Sequence, residues 1–99
     1  MLQFKLHVHE IALIKHCLLI SAKFIDDELD HHTGLLLSET LQQNSMINSK
    51  GYKTIAIDSK DIAILRDYLL IAILAINSTK AKDTAIINEI IYLLQYLKD

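Results

Sequence analysis

The sequence predicts a mainly α domain of the α+β class, with four helices packed against a two-stranded antiparallel β-ribbon in the order β-α-α-β-α-α. Three observations lead there. The 99 residues include no proline and two glycines, so long helices meet few breakers. Short strand-like stretches, Leu2 to Val8 and Tyr52 to Ile57, stand near the start of each half. The first half also reappears in the second at an offset of 51 residues. Glu10-Ile11-Ala12-Leu13-Ile14-Lys15 lies over Asp61-Ile62-Ala63-Ile64-Leu65-Arg66, and Leu18-Leu19-Ile20 over Leu69-Leu70-Ile71. Within that block only His16/Asp67 and Cys17/Tyr68 break the match. Internal similarity at a fixed offset speaks to architecture. It divides one domain, 1–99, into halves 1–50 and 51–99 related by a pseudo-twofold axis.

The elements follow in order. Leu2, Phe4, Leu6 and Val8 alternate with Gln3, Lys5 and His7, the period of a half-buried strand. Helical spacing takes over at about His9: Ile11, Ile14, Leu18 and Ile25 form a stripe widened by Leu13, Cys17 and Phe24, which predicts one helix to about Asp30. Thr33 is the expected N-cap of a second helix, Gly34 to about Met46. The segment from Asn44 to Gly51 is turn-like. Tyr52 to Ile57 is the second strand, and Asp58 or Ser59 caps a third helix to about Ile76, with Asp61 in its first turn. Asn77 to Lys80 forms a loop, and Asp83 or Thr84 caps the last helix. Thr84 lies over Thr33 and Ile86-Ile87 over Leu35-Leu36, so the register is expected to hold from strand through second helix.

The pairing of the strands follows from direction. Each half holds one strand, whose backbone groups need a partner. If the first strand runs up, its helices return down and then up, and the second strand starts at the top. The pair is therefore antiparallel.

Composition narrows the function classes. A formal net charge of −2 and scattered basic residues argue against nucleic-acid binding, which needs a concentrated positive surface. Lys50, Lys53 and Lys60 make only a thin cluster. A lone cysteine, Cys17, fits a reducing compartment and a cytoplasmic location. His7, His9 and Glu10 interrupt any signal-like start, and the longest apolar run, Tyr68 to Ile76, is too short to span a membrane. No glycine-rich phosphate loop, serine elbow, CxxC or HExxH motif occurs. The chain therefore reads as a non-enzyme without a cofactor. Cys17 lies on an apolar stripe and reads as a structural thiol.

The histidines offer a metal hypothesis. His7 and His9 stand two apart, and Asp27/His31 and Glu28/His32 have i, i+4 spacing. A helix spanning the interval would hold the two groups ~30 Å apart, and neither pair completes a tetrahedral site. No metal site is assigned.

Two features point to a partner. Asp26, Asp27, Glu28 and Asp30 crowd the expected C-terminal end of the first helix, where the dipole disfavours acids, so an acidic surface docking a basic protein is expected. The third helix, apolar nearly all round, should be buried on most sides. The fourth carries surplus apolar residues, Ile87, Ile91, Tyr92 and Tyr96, expected to form a partner or homodimer surface. The expected function is a stoichiometric protein–protein docking module, of the inhibitor or immunity type, neutralising a basic partner. The alternative is a metal- or small-ligand-binding module using the histidines or a pocket between the halves.

Overall fold

The computed structural model describes residues 2–25, 28–42, 48–79 and 83–98. Strand β1 (Leu2–His7) leads into helices α1 (Val8–Ala22) and α2 (Glu28–Gln42); strand β2 (Tyr52–Ile57) leads into α3 (Ser59–Asn77) and α4 (Thr84–Tyr96). The order is β-α-α-β-α-α and the strands pair antiparallel, as the sequence predicts. Leu2 stands opposite Ile57 and His7 opposite Tyr52. Phe4 thereby faces Ile55, its counterpart 51 residues on.

The ribbon is two-faced. Phe4, Leu6, Ile55 and Ile57 are buried against the helices, while Gln3, Lys5, Thr54 and Ala56 face outward. Lys53 shares the buried face, and its Nζ donates to Leu41 O at 3.1 Å. Late carbonyls of a helix such as α2 lack intrahelical partners and favour a cation.

The core lies where α1 and α3 pack together beneath the ribbon. α1 buries Ile11, Ile14, Cys17, Leu18 and Ser21, and α3 buries Ile62, Leu65, Tyr68, Leu69 and Ala72. Each of the first set lies 51 residues before one of the second. The Ser21 hydroxyl donates to the Tyr68 carbonyl. α2 packs on both α1 and α3, and α4 packs on α3. The Arg66 guanidinium donates to the carbonyls of Leu94 and Leu97, closing the end of α4.

Caps set the helix starts. Glu10 Oε1 accepts from His7 N at 2.8 Å, and His7 Nδ1 accepts from His9 N at 3.2 Å, a capping box around the start of α1. Asp83 caps α4 by accepting from Ile86 N. Asp58 takes the N-cap position of α3 without a side-chain bond.

Four expectations are corrected. The first helix does not run to Asp30. It ends at Ala22, where Lys23 N and Phe24 N bond back to Ile20 O and Ser21 O, and Ile25 still reaches the core from beyond the end. Because Ile25 continues the helical stripe, its position could not reveal the break. Thr33 is not an N-cap; it lies inside α2, which starts at Glu28.

The register is also lost in the second helices. α2 buries Gly34, Leu37 and Leu41, whereas the residues 51 positions on, Ala85, Asn88 and Tyr92, are exposed. α4 buries Ile90, Leu93 and Leu94 instead. The two second helices therefore present different faces to the core. Finally, α3 is buried on one side only, since Ala63, Leu70 and Leu74 are exposed. No helix among the described residues is long and apolar enough to cross a membrane.

Candidate functional site

A cavity of about 170 Å³ opens between α1, α2 and α3, lined by Leu18, Leu19, Ala22, Gly34, Leu35, Ser38 and Tyr68. Its construction follows from helical periodicity. The stripe Ile11, Ile14, Leu18, Ser21 turns inward, which leaves Leu19, about 100° further round, facing out. On α2, Gly34 and Leu37 turn inward and Leu35 faces out. Leu19 is 70% exposed and Leu35 65% exposed, so two leucines form the lip of an apolar cleft.

Tyr68 and Gly34 are made for each other at the floor. A Cβ on Gly34 would stand 2.7 Å from Tyr68 Cζ and nearer still to Oη. Glycine in a helix interior costs ~1 kcal/mol relative to alanine, and here it admits the tyrosine ring against the α2 backbone. Among the described residues, no carboxylate, imidazole, amine or thiol lines the cleft. It can hold an aliphatic or aromatic group, with Ser38 as a polar residue on its wall.

Two further clefts are shallower in chemistry. One, of about 140 Å³, lies between His9, Glu10 and Leu13 of α1 and Glu89, Tyr92 and Leu93 of α4. Glu10 is engaged there as the cap of α1. The other brings Phe24 beside Ile71, Leu74 and Ala75.

The expected partner residues belong to two stretches, 26–30 and helix α4. Asp26 and Asp27 lie outside the described residues, as do the side chains of Glu28 and Asp30. Glu28 and Asp30 fall in the first turn of α2, so the dipole that would oppose acids at a C-terminal end favours them here. On α4, Ile91 and Tyr92 are exposed and Ile87 is half-buried. Tyr96 serves the fold: its ring packs edge-on against Phe4, 5.7 Å between centroids. Its hydroxyl accepts from Lys5 N at 3.0 Å and donates to Lys5 O.

Among the described residues, no group of three His, Cys, Asp or Glu side chains could hold a metal. The rings of His7 and His9 stack at 4.8 Å, and His7 Nδ1 is engaged by the backbone. His16, further along α1, and His32, on α2, are exposed. Cys17 is fully buried, and burial pushes its thiol up to about 11, so it carries no thiolate at neutral pH.

Sequence reading missed the cleft. Leu19 and Leu35 were visible as leucines, but their outward direction depends on the pitch of two separate helices. Gly34 was the one available signal, an isolated glycine in a helix-forming stretch, read as a helix start rather than a close approach. No family model, no curated protein and no solved structure matches this chain.

Proposed function

We propose that this protein is a stoichiometric docking module that receives an apolar side chain of a partner polypeptide in the cleft between α1 and α2. The observation that carries the reading is the pair of exposed leucines, Leu19 and Leu35, on the lip of a cavity floored by Tyr68. Covering a leucine completely contributes ~1.5–3 kcal/mol, so two at one cleft make an anchor for association. The acids Asp26, Asp27, Glu28 and Asp30 precede or open α2, the helix that supplies half the lip. They would favour a partner with basic residues flanking its apolar anchor. An inhibitor or immunity-type role fits such one-to-one docking.

The test is affinity capture from the native cell with wild type and with the Leu19→Glu/Leu35→Glu double variant. Both positions are exposed, so stability should stay within ~0.5 kcal/mol per site while the captured polypeptide is lost. Equal capture by both proteins would end this reading.

The cavity volume favours a second reading. About 170 Å³ resembles cavities of ~150 Å³ that take up benzene-sized molecules, so a small apolar ligand could occupy the same cleft. Titration with indole, followed by amide NMR shifts at Leu18, Leu35 and Tyr68, distinguishes this from docking of a polypeptide.

A further inference from the structure

The outward edges of the ribbon differ. In an antiparallel pair, alternate residues turn both backbone groups toward the neighbouring strand or away from it. Lys5 N and O bond to Tyr96 Oη, and Tyr52 N and O bond to Asn48. Lys5 and Tyr52 therefore face away from the ladder. Given the register, so do Gln3, His7, Thr54 and Ala56.

β1 is blocked along this edge by Tyr96 at Lys5 and by Glu10 at His7 N. Gln3 remains, and one residue cannot form a ladder. On β2, Asn48 occupies Tyr52, but among the described residues nothing bonds the outward N–H and C=O of Thr54 and Ala56. Both side chains are exposed and small, so nothing long screens the edge.

We propose that two copies of this chain join antiparallel along β2, forming a four-stranded sheet in the order β1-β2-β2-β1. The edge is self-complementary. With Ile55 opposite Ile55 on the twofold axis, Thr54 meets Ala56 of the second copy, and each pair exchanges two N–H···O bonds. The open groups of Thr54 and Ala56 in both copies are then satisfied, and Ile55 extends the apolar layer across the axis. The blocked β1 edge stops growth, so the assembly closes as a dimer rather than a fibre. The surface is separate from the α1–α2 cleft, so neither inference depends on the other.

The test is sedimentation equilibrium from micromolar to millimolar protein, with circular dichroism to monitor folding. Wild type should be dimeric at the upper end. Ala56→Pro removes an outward N–H and leaves the β1–β2 ladder intact. It deletes two of the four inter-copy bonds and should weaken association ~100-fold. A charge pair provides a second arm. Thr54→Lys/Ala56→Lys places like charges opposite each other and should yield monomer, whereas Thr54→Lys/Ala56→Glu sets Lys against Glu and should restore the dimer. If Ala56→Pro does not fold, the charge pair decides. Wild type that stays monomeric at millimolar concentration, or a dimer that survives both Ala56→Pro and the double-lysine variant, overturns the proposal.

Discussion

Replacing Gly34 by alanine separates helix propensity from packing, because the two effects have opposite signs at this position. Propensity alone makes Gly34→Ala stabilising by ~1 kcal/mol in a helix interior. The fold opposes it. The new Cβ would stand 2.7 Å from Tyr68 Cζ and 3.2 Å from Cε1, where carbon contacts prefer ~3.5–4.0 Å. The ring and α2 would have to separate by ~1 Å, yet Tyr68 is 1% exposed and lies within the core. Overpacking of this kind costs ~1–3 kcal/mol. With more than one ring atom in conflict, the upper part of that range applies, ~2–3 kcal/mol. The balance is a net loss of ~1–2 kcal/mol, or roughly 5–10 °C in Tm for a domain of this size. Urea unfolding followed by circular dichroism gives the free energy, and a thermal scan gives the shift. In a Tyr68→Phe background the nearest atom is gone, and Gly34→Ala should cost less; the double-mutant cycle measures that coupling. A Gly34→Ala protein that is more stable than wild type by ~1 kcal/mol would refute the close approach of α2 to Tyr68.

Three further outcomes are expected. Tyr96→Phe removes the hydroxyl that occupies Lys5 on the β1 edge; it should lower stability by ~1 kcal/mol and, by opening that edge, produce species larger than a dimer in light scattering. Arg66→Gln withdraws the guanidinium from the carbonyls of Leu94 and Leu97 and should cost ~1–3 kcal/mol in urea unfolding. Burial raises the Cys17 thiol from 9.0 to about 11, so the unfolded chain loses this proton before the folded one does. The stabilisation is full below the unfolded value and is lost as pH rises through that window, with a slope of at most ~1.4 kcal/mol per pH unit from this group. Wild-type stability should therefore fall more steeply than that of Cys17→Ala across the window, and parallel curves would contradict the burial.

Much of the architecture was legible because it rests on local periodicity. The alternation from Leu2 to His7 defined a strand with one buried face, and the stripe Ile11, Ile14, Leu18 defined the face that α1 buries. The antiparallel pairing followed from counting helices between two strands that had only each other. The end of α1 was not legible. No proline or glycine stands between Ser21 and Asp30, and Ile25 fits the stripe whether or not the helix continues. The unfavourable position of the acids on a continuous helix was the sequence's one sign of a break, and the start of α2 at Glu28 removes that conflict. The cleft was illegible for a different reason. It requires knowing how far α1 and α2 stand apart and which side chain fills the gap.

By itself, the sequence determined the order of elements, the direction of the strands and the buried stripes of α1 and α3, since each depends on the spacing of apolar residues within one segment. Tertiary structure alone decided where α1 stops, which face α2 and α4 turn inward, and which backbone edge remains open. Those features depend on distances between segments far apart in the chain: Gly34 against Tyr68, Tyr96 against Lys5, Arg66 against the end of α4. A period in the sequence fixes what one helix or strand can bury, but the partner that comes to lie against it is chosen only when the whole core packs.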